Sequence, residues 1–192
     1  ASLHLEEGDL AKAKADALKA RKLNPEAYRP LLVLGMLLSE QEGEPDDSIV
    51  MEVMAARVRP GQPWSWNNLA QSFLDKRENY AAKMFANRAI DLKLQTGNPY
   101  LIRGAAHALL GDYDQALKDY ATAIRLEPDN TRAYDQRAMI YARLGKKKEA
   151  AQDWATAEQI DPSLRKQKRG ILPPPPVPVE RFNTLPPMRM SS

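Results

Sequence analysis

The chain has 192 residues, of which 43% are hydrophobic and 28% are charged, and its formal net charge is +3. This composition is typical of a soluble globular protein and excludes a disordered one. The absence of cysteine excludes disulfides and thiolate metal sites, and the longest apolar run, residues 31–38, is too short to span a membrane. These features fit the cytoplasm and the periplasm equally well.

The first two segments share a spacing of small and aliphatic residues that ends at a proline. In residues 1–25 this spacing is kept by Gly8, Ala13, Ala17, Ala20, Leu23 and Pro25. In residues 29–62 it is kept by Leu32, Gly43, Ser48, Ala55, Val58 and Pro60. Glu52 occupies a position where a bulky aromatic residue is expected. We therefore expect its helix to pack less fully and segment 29–62 to be the weakest of the complete units. Because the chain begins at Ala1 inside this pattern, we expect it to be a fragment of a longer protein.

Residues 63–96 keep the spacing with two departures. An aromatic residue, Trp66, is followed in register by Leu69, Ala70, Phe73, Ala82, Ala86, Ala89 and Leu92. Arg77 stands where a glycine is expected between two helices, and Leu94 stands where a proline is expected. The segment therefore predicts a degenerate copy of the same helix pair.

The clearest copies are residues 97–130 and 131–164, which superpose without a gap when Gly97 is aligned with Thr131. The matched positions are Tyr100 with Tyr134, Gly111 with Gly145, Ala116 with Ala150, Tyr120 with Trp154, Ala123 with Ala157, Leu126 with Ile160, and Pro128 with Pro162. Apolar residues at three- and four-residue spacing over 100–110 and 113–126 predict two amphipathic helices. The glycines predict a tight turn between them, and the prolines predict the end of the second helix.

This order of aromatic, glycine, alanine and proline positions at a 34-residue period resembles the tetratricopeptide repeat family. The resemblance covers residues 1–164, as a partial repeat over 1–27 and complete repeats over 29–62, 63–96, 97–130 and 131–164. It implies an all-α fold, a right-handed superhelical solenoid of antiparallel helix pairs. It also implies a non-catalytic scaffold that binds a protein or peptide partner and needs no cofactor, metal or small-molecule substrate.

In this family the first helix of each pair lines a concave groove, and the resemblance implies which side chains face it here. They are Val33, Leu34 and Leu37; Asn67, Asn68, Gln71 and Leu74; Leu101, Ile102, Ala105 and Leu109; Asp135, Gln136, Met139 and Arg143. Several positions where carboxylate-binding members carry polar residues are apolar here. We therefore expect an apolar groove with an amide cluster that bonds the backbone of an extended peptide. The alternative is that some of these apolar residues pack inside the superhelix.

The histidines, one acidic run and two basic clusters are better explained as structural features than as functional sites. Both histidines, His4 and His107, fall in a column of packing aromatic residues and lack partners for a metal or general-base role. The acidic run 40–47 lacks the ligand spacing of a calcium loop. The basic clusters 146–148 and 165–169 fit solvated helix ends better than a nucleic-acid site, because the repeats are slightly acidic.

The tail, residues 165–192, is basic and then proline-rich. It has six Lys and Arg against one Glu, whereas residues 1–164 have 22 against 24. Such a segment predicts an extended, polyproline-like path. We expect its apolar residues to dock on a repeat surface of the same molecule or of a neighbour, the latter giving self-association; they are Ile171, Leu172, Val177, Val179, Phe182 and Leu185. The alternative is that the tail is a flexible linker.

The whole chain also has an alternative function, as an assembly domain of a larger multidomain enzyme or secretion machine.

Overall fold

The computed structural model describes residues 7–24, 28–39 and 45–166, and within them the chain is helical. The helices are α1 (Glu7–Leu23), α2 (Tyr28–Ser39), α3 (Pro45–Val58), α4 (Pro63–Asp75), α5 (Asn79–Asp91), α6 (Asn98–Leu109), α7 (Tyr113–Leu126), α8 (Thr131–Arg143) and α9 (Lys147–Ile160), followed by a short 3₁₀ helix (Pro162–Lys166). None of the helices in these ranges is long and apolar enough to cross a bilayer.

The helices form an array of antiparallel pairs. Each first helix packs on its own second helix, in the pairs α2–α3, α4–α5, α6–α7 and α8–α9, and each second helix also contacts the first helix of the next pair. Neighbouring first helices contact each other, whereas among the described residues no two of α3, α5, α7 and α9 are in contact. The first helices therefore lie on the tighter side of the array. We call this side, formed by α2, α4, α6 and α8, the inner face.

Local sequence explains where the helices begin. Pro63 and Pro99 stand in the first turns of α4 and α6, where a missing backbone N–H removes no helical bond. The side chains of Asp112 and Asn130 each accept a hydrogen bond of 3.3 Å from a backbone N–H in the first turn of α7 and α8. These caps satisfy donors that the helix itself leaves unpaired.

Four helices end with a residue in the left-handed backbone region. Gly111 and Gly145 end α6 and α8 with φ of 84° and 75°, and Arg77 ends α4 with φ of 64°. The two backbone N–H groups after each helix bond back to its last turn. Lys93 (φ 59°) ends α5 in the same way. The sequence prediction that Arg77 replaces the turn glycine is therefore confirmed.

We expect Arg77→Gly to raise the free energy of unfolding by about 0.5–1 kcal/mol, because only glycine adopts this conformation without steric cost. Arg77 is exposed, so little side-chain packing is lost. The matched control is Gly145→Ala, whose new Cβ would meet no atom within 4 Å, so that any loss reports the backbone alone. Urea unfolding measures both variants. A destabilised Arg77→Gly protein would contradict this account of the turn.

The core consists of small residues in register with larger ones. Ala55, Ala89, Ala123 and Ala157, which share one column of the repeat, are all at most 1% exposed. Tyr120 is fully buried and belongs to a cluster with Leu101 and Ile140 that Tyr100 flanks. The sequence pattern predicted both features, namely alanines where two helices approach closely and aromatic side chains that fill the space around them.

Glu52 is fully packed into the core, which corrects the sequence prediction that its helix packs less fully. Its side chain is 1% exposed, and Ser72 Oγ on α4 donates a hydrogen bond of 3.1 Å to its Oε1. Its second oxygen, Oε2, is buried without a hydrogen-bond partner. Burial is the main cause that raises the pKa of Glu52 from 4.5 to about 7. Segment 29–62 therefore contains a buried acid rather than a packing gap.

Candidate functional site

The inner face is the surface for which the sequence predicted a peptide groove, and four of its predicted apolar residues are core residues. Leu34, Leu74, Leu101 and Ile102 are each at most 7% exposed. The physical reason is the lateral contact between neighbouring first helices, which covers side chains on both flanks of each helix. The predicted row of exposed aliphatic side chains is therefore wrong at these positions, and the alternative of packing inside the array holds for them.

The other predicted residues differ in their exposure. Val33 is 37% exposed, and Asn67 is buried. Those that are half-buried at the inner face are Asn68, Gln71, Ala105, Leu109, Asp135, Gln136, Met139 and Arg143. The side chain of Leu37 and the whole tail, including Ile171, Leu172, Val177, Val179, Phe182 and Leu185, lie outside the described residues, as does His4. The inner face is thus more polar than the sequence predicted.

Hydrogen bonds hold several of these polar groups in place. Asn98 Nδ2 donates to Asn67 Oδ1 at 3.2 Å, which joins α6 to α4. Gln71 Nε2 donates to Asp75 Oδ1 at 2.8 Å along α4. The indole of Trp154 donates to Asp135 Oδ1 at 3.1 Å. Such bonds fix the orientation of side chains that would otherwise lose rotamer freedom when a ligand binds.

Arg143 connects the inner face to the preceding second helix. Its Nε donates to the hydroxyl of Tyr113 at 2.7 Å, and its guanidinium lies 5.9 Å from the centre of that ring. The arginine therefore stands at a defined position near the C-terminal end of α8. A held guanidinium can bond a carboxylate or a carbonyl oxygen of a bound peptide.

Two buried ion pairs recur at equivalent positions of successive units, and the sequence pattern did not reveal them. Arg103 binds Asp119 through two bonds of 2.6 and 2.9 Å, and Arg137 binds Asp153 through two bonds of 2.7 Å. The bond to the aspartate raises the pKa of each arginine above its ordinary value. The signal in the sequence was an arginine in the first helix and an aspartate in the second that align between the last two repeats. These pairs hold the first helix of a unit to its second helix.

His107 has a structural role. Its imidazole is 14% exposed, lies in the column of Phe73 and Tyr141 as predicted, and has Nδ1 3.3 Å from Asp112 Oδ2. Burial is the main cause that lowers its pKa below the ordinary value. Across residues 7–24, 28–39 and 45–166 no three His, Asp or Glu side chains are grouped as metal ligands.

A second surface, on the side of the second helices, was also missed. A cleft of about 510 Å³ is lined by Trp66 and one face of α5, namely Tyr80, Lys83, Met84, Phe85, Asn87, Arg88 and Asp91. A neighbouring cleft of about 350 Å³ shares Trp66 and Phe85 with it and extends to Val53, Ala56, Arg57, Pro60 and Leu69. We call the two together the aromatic cleft. The signal in the sequence was an aromatic residue and a methionine, Tyr80 and Met84, at positions where the next unit carries charged residues.

Comparison with known proteins identifies the repeat. The family profile of the tetratricopeptide repeat matches residues 98–130 and again residues 131–164. The chain is 30% identical over 123 residues to human tetratricopeptide repeat protein 6, a match that covers 64% of the chain and 23% of that protein. It is 27% identical over 132 residues to UDP-N-acetylglucosamine–peptide N-acetylglucosaminyltransferase of Giardia intestinalis, covering 69% of the chain and 7% of the enzyme. The chain thus spans less than a quarter of the length of these relatives.

Solved structures show the same fold. MamA superposes with a TM-score of 0.70 at 24% identity, over 84% of this chain and 94% of that one. YrrB, described as a tetratricopeptide repeat protein with an unusual peptide-binding site, superposes with a TM-score of 0.64 at 22% identity, over 76% and 75% of the two chains. These likenesses confirm the predicted fold class, an all-α superhelical solenoid of antiparallel helix pairs. The two profile matches identify residues 98–164 as tetratricopeptide repeats, and the described helices before them share the fold of such repeats.

Proposed function

We propose that this protein–protein interaction scaffold binds an extended peptide of a partner protein along its inner face. The observation that carries the proposal is a strip of half-buried side chains on three successive first helices, polar on α4 and α8 and apolar on α6 between them. Asn68 and Gln71 lie on α4, and Asp135, Gln136 and Arg143 lie on α8, with Ala105 and Leu109 of α6 between them. Amide groups both donate and accept hydrogen bonds, which matches the alternating groups of an extended backbone.

The small residue in the middle of the strip gives the ligand room. Ala105 is half-buried on α6 and packs with Leu109 against the core cluster of Ala70, Ala86 and Ile102. A peptide that crosses α6 therefore meets a low apolar floor between two polar edges. We infer that the ligand has an apolar side chain at its centre and hydrogen-bonding groups on both sides of it.

The test starts from a random peptide library displayed on phage and selected against the full chain. The selected peptide is titrated calorimetrically into the parent and into the double variant Asn68→Ala/Gln136→Ala. Removing two amides from the strip is expected to weaken binding by at least about tenfold, or about 1.4 kcal/mol. The matched control, Gln115→Ala/Gln152→Ala, removes two exposed amides from the second helices α7 and α9 and is expected to leave the affinity unchanged.

Equal affinities of the two double variants would place the binding site elsewhere. A circular dichroism melt of each variant checks that the array is intact, so that a loss of binding is not a loss of fold. We infer further that the chain itself is non-catalytic, since its predicted functional positions hold only binding groups.

A second candidate function is assembly within a larger enzyme. The observation that favours it is the match to 7% of a long glycosyltransferase, in which a comparable stretch is a small part of the polypeptide. Mass spectrometry of the protein isolated from its source tests this candidate. Peptides that continue into a catalytic domain beyond residue 1 or 192 would support it, and a native chain confined to residues 1–192 would contradict it.

A further inference from the structure

The aromatic cleft exposes two large apolar side chains that the repeat itself does not require. Tyr80 is 74% exposed and Met84 is 58% exposed. At the equivalent positions the next unit has Asp114 and Lys118, both exposed. Because the fold accepts charged side chains at this column, Tyr80 and Met84 contribute little to it. Large exposed apolar residues next to a concavity mark an interaction surface.

The wall of the cleft is held rigidly. The indole Nε1 of Trp66 donates to the carbonyl oxygen of Pro60 at 2.9 Å, and its ring stacks on Phe85 with centroids 5.9 Å apart. Phe85 in turn packs on Phe73, with centroids 5.2 Å apart. The guanidinium of Arg88 lies 5.9 Å from the centre of the Trp66 ring. Fixed aromatic rings with open space between them are the recognition surface of proline-rich segments, whose polyproline helix is already ordered.

We propose that residues 179–187, the C-terminal part of the proline-rich segment of the same chain, occupy the aromatic cleft. The prolines at 173–176 and at 178 form the extended connection to it, and residues 179–187 carry Val179, Phe182 and Leu185 for the pockets between the aromatic rings, followed by two prolines, 186–187. The charges are complementary as well. Glu180, the single acidic residue of the tail, complements Lys83 and Arg88 of the cleft, and the adjacent Arg181 complements Asp91 of the same lining.

The chain is long enough to reach. The 3₁₀ helix ends at Lys166, and a polyproline path rises about 3.1 Å per residue, so that residue 182 lies up to about 50 Å away. The path from α9 to α5 crosses four steps between packed helices, each about 8–10 Å, or at most about 40 Å in total. The segment can therefore lie in the cleft of its own molecule without stretching. This proposal is independent of the inner face and stands if no peptide binds there.

The absence of native cysteine makes a clean test possible, because a single new cysteine takes a spin label at one position. The full chain with Thr184→Cys is labelled, and paramagnetic broadening of its backbone amides is measured by NMR. Amides of α5 between Tyr80 and Arg88, together with the indole of Trp66, are expected to lose most of their intensity. The same label in Tyr80→Asp/Met84→Lys, which carries the residues of the next unit, is expected to leave them intact.

Three other outcomes would overturn the proposal. Broadening confined to α4, α6 and α8 would place the tail on the inner face. Broadening of the cleft amides in isotopically enriched chain without a spin label, when it is mixed with spin-labelled chain of natural isotope abundance, would place the segment in a neighbouring molecule. Absence of any broadening would mean that the segment binds neither surface. Leu23→Ser, which removes an apolar side chain 82% exposed on α1, is the matched control and should leave the pattern unchanged.

Discussion

Replacing Arg103 with leucine is expected to lower the free energy of unfolding by about 3 kcal/mol, the largest effect that we expect of any single substitution in the repeats. The change leaves the carboxylate of Asp119, 7% exposed, without its partner in the middle of a helix pair. The same guanidinium also donates to Asn87 Oδ1 at 2.7 Å, so the tie to α5 is lost as well. A buried charge without a partner costs more than the pair contributes when both members are present.

The preceding unit of the same chain indicates which double variant should restore the free energy of unfolding. In the preceding unit, the residues equivalent to Arg103 and Asp119 are Leu69 and Phe85. The neighbours also correspond, because Trp66 and Phe73 around Phe85 become Tyr100 and His107 around position 119. Arg103→Leu/Asp119→Phe therefore replaces an ionic contact between two helices with the apolar one that the chain already uses.

Urea unfolding of the parent, the two single variants and the double variant gives a complete thermodynamic cycle. We expect the double variant to lie within about 1 kcal/mol of the parent and the coupling energy to exceed about 2 kcal/mol. Additive single effects, with no recovery in the double variant, would show that the Arg–Asp pair does not hold the helices of a unit together.

The buried acid Glu52 is expected to make the protein less stable as the pH rises from about 4.5 to about 7. Its pKa is about 7 in the folded chain and 4.5 ordinarily, so the folded state retains a proton that the unfolded state releases. The stabilisation is fully present below about pH 4.5 and is lost as the pH passes through the folded value. At about 1.4 kcal/mol per pKa unit, the loss is about 3 kcal/mol.

Glu52→Gln keeps the acceptor for Ser72 Oγ and removes the titration. We expect this variant to exceed the parent in stability at pH 8 by about 2–3 kcal/mol and to lack this pH dependence. The control is Glu149→Gln, an exposed acid in the first turn of α9. In hydrogen exchange at pH 8, corrected for intrinsic rates, residues 45–58 of the parent should open first among the complete units. Parallel pH profiles for the parent and Glu52→Gln would contradict the assignment.

Much of the fold could be predicted because each position of the repeat has the same structural role in every unit, and only a few residue types fit that role. Small residues such as Ala123 occur where two helix backbones approach, and glycines occur where the chain needs a positive φ. The pattern even located Arg77 in a glycine position. It failed at Glu52, because the column predicts the volume of a side chain and says nothing about whether a buried acid can take a proton or a hydrogen bond.

The candidate sites were less predictable for two reasons. Leu101 and Ile102 are adjacent in sequence and belong to two different core clusters, one on each side of α6. A helical period assigns a residue to a face, but it does not say that neighbours cover both flanks of that face. The aromatic cleft is formed by residues from α3, α4 and α5 together. Its character as an exposed apolar surface is recognised only when Tyr80 and Met84 are compared with the charged residues at the equivalent positions of the next unit.

The most direct test of the scaffold function is NMR mapping of the full, isotopically labelled chain with the peptide selected from the phage library. If the inner face binds the peptide, the backbone amides of α4, α6 and α8 and the side-chain amides of Asn68, Gln71 and Gln136 shift on titration. Shifts confined to the second helices α5, α7 and α9, with those three side-chain amides unmoved, would contradict binding along the inner face.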